Sequence, residues 1–300
     1  MANFWQNTIW YILLGLTSAV SLFMIFIKSR SRKTAFAFWA AVLGLTYALE
    51  VVLMFGLKAY TYQPLIAQDK IQDSIIGNFF SQFSVSSSAV LICVYGLPFY
   101  WRIGFSIAYY LIDLYFTHIG IYTHNWYLSI FTLAGFFMYS LLISKWYALL
   151  LENKSQQLLT NASLFLAAFA TGGNSIITTL NLAGIQMFIL PVSNQIVSNH
   201  LYGSLLYGPA LVLIFIILRR VKARPCWKVL VLPILFCVQY WLYAIGFMKV
   251  KEGWFIIAAL LDILGYCAWV AVLDRLFIPV SKKRNSSLGH RLHSGCFPPL

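Results

Sequence analysis

Four side chains in this sequence are placed to hold a proton or a cation from within hydrophobic runs: Glu50, Asp113, His118 and Asp262. A charge at the bilayer centre costs about 2.5–3.5 kcal/mol even on lenient insertion scales, so an ionisable residue there marks a functional site by default. Asp113 stands at the middle of its run. With a rise of about 1.5 Å per residue, Glu50 and His118 lie roughly 7 Å, and Asp262 about 4–5 Å, outward of the centres of theirs. All four fall in one slab between the midplane and the outer leaflet, which describes a polar cavity opening outward. Asp113 and His118 are about 140° apart around a helix and so turn to different neighbours. Asp113 shares its face with Tyr109, Tyr110 and Thr117, and His118 with Tyr115, Ile121 and Tyr122.

Further polar groups flank these four. Ser81, Ser84 and Ser88 recur at i, i+3 and i+7 and line one helix face with hydroxyls. In the run TGGNSIITTLN, Gly172 and Gly173 loosen the helix, while Asn174, Ser175, Thr178 and Asn181 supply donors and acceptors. A loosened helix can present backbone carbonyls to a solute or ion, and small residues equally let helices approach closely. The acids themselves admit two readings, a solute site or a satisfied hydrogen-bond cluster. Asp274 and Arg275 stand near a helix end and act as headgroup anchors. No HExxH, GxSG or Walker A pattern occurs, and the acids are single rather than in paired DxxxD runs. The five cysteines show no CxxC or Cys/His spacing. No catalytic residue, metal or cofactor is therefore assigned.

The elements that must position these groups are membrane helices. The chain of 300 residues is 61% hydrophobic and 10% charged, against about 25% charged residues in a soluble domain. Nine runs are long enough to cross a bilayer: 5–27, 34–57, 76–98, 103–123, 127–149, 160–182, 203–219, 228–248 and 254–276. The net charge of +13 lies in short clusters between these runs, as topology signals do. It forms no basic domain, which excludes nucleic acid as a partner. With the N-terminus outside, only Lys58, Lys70, Lys249 and Lys251 of the 21 Lys and Arg fall on the outer side, a strong positive-inside bias. Lys28, Arg30, Arg32 and Lys33 follow the first run instead of preceding it, the reverse of a signal peptide, so that run is read as a retained span. Trp5, Trp126 and Trp254 mark outer helix ends and Trp101, Trp146 and Trp227 inner ones.

The expected fold is all-α: a polytopic transmembrane bundle of about nine spans over residues 1–280, N-terminus outside and C-terminus cytoplasmic. Residues 281–300 read as a disordered basic cytoplasmic tail, with Lys282, Lys283 and Arg284 able to meet anionic lipid. Residues 58–75 read as an amphipathic interfacial helix, and 184–202 as an interfacial or re-entrant piece. Neither a repeat of solenoid period nor a pair of inverted halves is legible.

The stretch from Asp113 to Tyr147 resembles uncharacterised polytopic membrane proteins of Bacillus-type bacteria. In that group an acidic helix runs into a GIY-x-H-x-W turn and then a span ending in Lys-Trp-Tyr. The matching residues are Asp113, Gly120, Ile121, Tyr122, His124, Trp126, Lys145, Trp146 and Tyr147. The resemblance implies a bacterial plasma-membrane setting and supplies no activity. From the residues, the leading expectation is a transporter or channel-like protein. Its partners would be the lipid bilayer and a small solute, proton or cation held by Glu50, Asp113 and Asp262. A non-transporting membrane subunit or sensor is the alternative. An intramembrane enzyme on a lipid-linked substrate, with Asp113 and His118 as acid and base, is the third.

Overall fold

Long apolar runs in lipid fold as helices because a helix pairs its own N–H and C=O groups where no water can. The computed structural model describes residues 4–29, 31–68, 70–151, 157–189, 196–221 and 224–277. Among them a π-helical turn, Phe4–Thr8, leads into α1 (Ile9–Lys28), and α2 (Arg32–Glu50) continues as a π-helical segment, Val51–Gly56. Strand β1 (Tyr60–Tyr62), α3 (Lys70–Tyr95), α4 (Phe99–His118), β2 (Tyr122–His124) and α5 (Ser129–Leu151) follow. Then come α6 (Gln157–Gly172), a second π-helical segment (Gly173–Thr178) and α7 (Thr179–Leu182). The chain ends with β3 (Gln186–Phe188), α8 (Ile196–Arg220), α9 (Pro225–Ala244), β4 (Met248–Val250) and α10 (Phe255–Phe277).

Helices occupy all nine expected runs, and among the described residues seven stretches are long and apolar enough to cross a membrane. The two long helices outside that set are α4 and α9. Helix α1 shows how a peripheral helix meets lipid. Leu13, Leu16, Val20, Phe23 and Ile27 are exposed at three- and four-residue spacing, whereas Tyr11, Ser18 and Ile25 form a narrow buried seam.

The remainder is a duplication. From Tyr60 to Gln186 is 126 positions, and the same shift carries β1 to β3, α4 to α9, β2 to β4, α5 to α10 and the start of α3 to that of α8. Tertiary contacts recur with it. The Asn125 N–H bonds Ala59 O at 2.9 Å and the Lys251 N–H bonds Ile185 O at 2.8 Å; Gln63 to Ile121 O (2.9 Å) matches Ile189 to Phe247 O (2.7 Å). A Cβ on Gly77 would lie 2.6 Å from Tyr62 Cβ, and one on Gly203 would lie 2.5 Å from Phe188 Cβ. Gly120 and Gly246 leave α4 and α9 with φ of +76° and +79°, a left-handed geometry in which a side chain would be strained. At Gly120 the Ile121 N–H returns to Phe116 O at 3.0 Å and closes the helix end. Each long helix from α2 to α5 has its counterpart four long helices further along the chain, so the two units run in the same direction as a parallel repeat.

Helices α2 and α6, themselves counterparts, join the units. They meet so closely that a Cβ on Gly44 would lie 2.0 Å from Leu166 O. Buried Ala40, Ala41, Ala167 and Ala168 belong to the small-residue surface that permits such an approach without water. At the end of the bundle away from the strands, Asp274 pairs with Arg219 and Arg220 of α8, each at 2.8 Å, instead of serving as a free headgroup anchor.

Two connecting segments differ from expectation. The interfacial helix expected across 58–75 is replaced by β1 and a loop that Asp73 ties down: its carboxylate accepts the N–H groups of Leu65 (2.9 Å), Ile66 (2.7 Å) and Ala67 (2.9 Å). β1 pairs antiparallel with β2, Tyr60 opposite His124, and that partner outcompetes a local helix. Within 184–202, β3 pairs with β4, Gln186 opposite Val250, and α8 already begins at Ile196. Residues 190–195 and the tail 281–300 lie outside the described residues.

Candidate functional site

In the N-terminal unit, α1 to α5 and the β1–β2 pair enclose a cavity of about 210 Å³. Glu50 is the last α-helical residue before the π-segment Val51–Gly56. A π-turn carries an extra residue per turn and re-aims the side chains at its edge. Glu50 is 7% exposed. Its Oε1 accepts two hydrogen bonds, from the Tyr60 hydroxyl and from Gln82 Nε2, both at 2.6 Å. Its Oε2 is buried and has no partner among the described residues.

Asp113 lines the same cavity from α4. It accepts from the Ser129 hydroxyl at 2.5 Å and the Thr132 hydroxyl at 2.6 Å, both on α5. His124 Nε2 of β2 lies 3.2 Å from its Oδ1. The walls are aromatic. Tyr62 stacks on Tyr122 at 4.9 Å, Tyr60 meets Tyr127 edge-on at 4.9 Å, and Tyr109 meets Phe136 at 4.6 Å. Burial pushes the Tyr60, Tyr62 and Tyr122 hydroxyls well above their usual range, with Glu50 adding to the effect, and Tyr127 up to about 12. These rings therefore stay neutral, and Tyr60 stays a donor. Among the described residues no Lys or Arg lines the cavity, and its rim includes Leu49, Phe131 and Gly135, all exposed on the apolar flank of the bundle. A Cβ on Gly135 would meet nothing within 4 Å.

The other expected site residues fall elsewhere. His118 is the exposed last residue of α4 and lines neither of the two cavities described here. The acid–base pair expected of Asp113 and His118 is therefore not assembled, and the imidazole beside Asp113 is that of His124. Helical spacing cannot reveal this pairing, because the turn at Gly120 and the β1–β2 pair return His124 to α4. Ser84 and Ser88 both bond the Tyr109 hydroxyl at 2.9 Å, and Ser81 lines the cavity. Asn174 and Thr178 line a second cavity between the units, while exposed Ser175 accepts from Trp269 at 2.8 Å.

Asp262 belongs to the C-terminal unit and lines neither cavity. Its Oδ2 accepts from Gln186 Nε2 at 2.8 Å and from Gln239 Nε2 at 3.1 Å, and Gln239 also bonds Tyr207. With the shift of 126 seen from Tyr60 to Gln186, Gln186, Tyr207, Gln239 and Asp262 are the counterparts of Tyr60, Ser81, Asp113 and Phe136. All four of those line the first cavity. The same interior position is thus open in one unit and filled by a bonded cluster in the other.

The apolar helices and their exposed hydrophobic surface define a multi-pass helical membrane protein. Comparison with protein-family models, curated proteins and solved structures finds no match to the chain.

Proposed function

We propose that the N-terminal unit binds a lipophilic organic cation, a hydrophobic amine or quaternary ammonium, and that the protein acts as a carrier for it in a bacterial plasma membrane. The observation that carries this reading is the unpartnered Oε2 of Glu50 inside a tyrosine-walled cavity. A buried carboxylate oxygen without a partner is costly. Aromatic faces attract cations, most strongly when the cation is desolvated. Asp113, with His124 beside it, adds a second acid to the same walls, and among the described residues no Lys or Arg lines the cavity to offset Glu50. The exposed apolar rim at Leu49, Phe131 and Gly135 favours access from lipid over an aqueous pore.

The test compares benzyltrimethylammonium with its neutral carbon analogue, neopentylbenzene, by thermal unfolding of the purified protein. A ligand at a hundred times its Kd stabilises by about 2.7 kcal/mol. The ammonium should raise Tm, the analogue should not, and Glu50→Gln should erase the difference. Equal stabilisation by both compounds removes the proposal.

A further inference from the structure

The second cavity, about 380 Å³, lies between the two units, a size typical of ligand sites. Both π-helical segments contribute to it, through Val51 and Phe55 on one side and Gly173, Asn174 and Thr178 on the other. Among the described residues its lining contains no Asp, Glu, Lys, Arg or His; it is made largely of Phe, Ile and Leu with scattered amides and hydroxyls. Three of its lining residues, Tyr47, Asn78 and Tyr266, carry a buried polar atom unpartnered among the described residues, and two of them are more than nine-tenths buried. Asn78 is 6% exposed with Oδ1 unpartnered, and Tyr266 is 0% exposed with its hydroxyl unpartnered. Buried polar atoms in folded proteins nearly always have partners, so an orphan that lines a cavity marks a place for a polar group of something bound.

We propose that this inter-unit cavity is a second binding site, for an uncharged lipid that carries a hydroxyl group. A hydroxyl both donates and accepts. It can serve Asn78 whichever way the amide is turned, and the Tyr266 hydroxyl in either role. The absence of charge from the lining excludes the ammonium ligand of the first cavity and disfavours fatty-acid anions, whose desolvation nothing here would offset. An acyl chain leaves past exposed Phe79 and Leu182, two apolar residues on the rim. Gly173 marks open space: a Cβ there would meet nothing within 4 Å. The walls come from both halves of the duplication, so an occupant here would join the two units across their seam.

The experiment uses full-length protein in lipid nanodiscs and photo-crosslinking with a diazirine-bearing monoacylglycerol. A diazirine fatty acid and a diazirine alkane of matched chain length are the controls. The monoacylglycerol should label residues 72–80 and 169–182, and unlabelled monoolein, but not oleate, should compete. Gly173→Phe should fill the space and abolish that labelling. Asn78→Leu should reduce it about five-fold, the loss of one hydrogen bond. Should either variant fail to give monodisperse, cooperatively unfolding protein, Tyr266→Phe, which deletes a single oxygen, must itself weaken competition by monoolein. Equal labelling by all three probes, which is ordinary surrounding lipid, overturns the proposal. So does no labelling of the two segments, which leaves water as the only occupant, or labelling indifferent to the variants. None of these readouts depends on ammonium binding in the first cavity.

Discussion

In the N-terminal unit Tyr60, Ser81, Asp113 and Phe136 stand around open space, whereas in the C-terminal unit their counterparts Gln186, Tyr207, Gln239 and Asp262 bond to one another or pack together. The strand register and the left-handed glycines after α4 and α9 are the same in both. The difference lies in where the acids sit and what faces them. Glu50 and Asp113 are carried on α2 and α4 and are met by hydroxyls, an amide and an imidazole, leaving one carboxylate oxygen free. In the second unit the acid has moved to α10, where two glutamines bond its Oδ2. Its Oδ1 has no partner among the described residues, and Asp262 lines neither cavity. One copy of the repeated unit thus keeps an open polar cavity where the other places a hydrogen-bonded cluster.

The comparison first stands or falls on the contact between units. Gly44→Leu places a side chain against the Leu166 backbone; overpacking against a backbone that cannot move costs about 3 kcal/mol or more. It should prevent recovery of folded protein by size-exclusion chromatography. A monodisperse Gly44→Leu protein of wild-type Tm would mean that α2 and α6 do not meet as described.

Next, Asp262→Leu leaves the Gln186 and Gln239 amides without their shared acceptor, at about 1–3 kcal/mol for each unpaired group. Thermal unfolding should show this loss while the affinity for benzyltrimethylammonium is retained. Loss of ammonium binding with unchanged Tm would reverse the roles of the two units.

Gly120→Ala and Gly246→Ala force side chains into left-handed backbone at about 1–2 kcal/mol each. The two costs should agree, because the two turns are equivalent; unequal Tm shifts would show that the repeat is looser than its geometry. Glu50→Gln removes a buried acid and should leave the unfolding free energy, read by thermal unfolding, within about 1 kcal/mol of wild type, since an isosteric amide keeps an acceptor for Tyr60 and Gln82.

The smallest effect is at alkaline pH. Tyr62 and Tyr122 are raised above their ordinary value in the folded state, chiefly by burial. Their contribution to stability is therefore complete below a pH of about 10 and is lost as pH rises past it toward the folded values. The counterpart of Tyr62 is Phe188, which does not titrate. Tyr62→Phe should make alkaline unfolding less steep, and an unchanged alkaline limb would place Tyr62 in contact with water.

Much of the fold was legible in the sequence. Helix positions followed from the apolar runs, because lipid leaves the backbone no other economy of hydrogen bonds. The interior acids stood out for the same reason, and Glu50 and Asp113 meet in one cavity. His124 stands out only as part of the GIY-x-H-x-W turn, since its approach to Asp113 depends on a turn and a strand pair instead of helical periodicity. The strands themselves are three residues long, too short to leave an alternating pattern.

The duplication was also hidden. Gly77, Trp101, Ile119 and Gly120 recur as Gly203, Trp227, Ile245 and Gly246, but such matches are lost in a chain built largely of interchangeable apolar residues. What the sequence by itself determined was the solvent and the elements: helices in lipid, each with its polar exceptions. Which exceptions share a cavity and which lock together was decided by tertiary structure. Depth along a helix can be counted from residue numbers, whereas the rotation and pairing of helices depend on close contacts such as Gly44 against Leu166 and Gly77 against Tyr62.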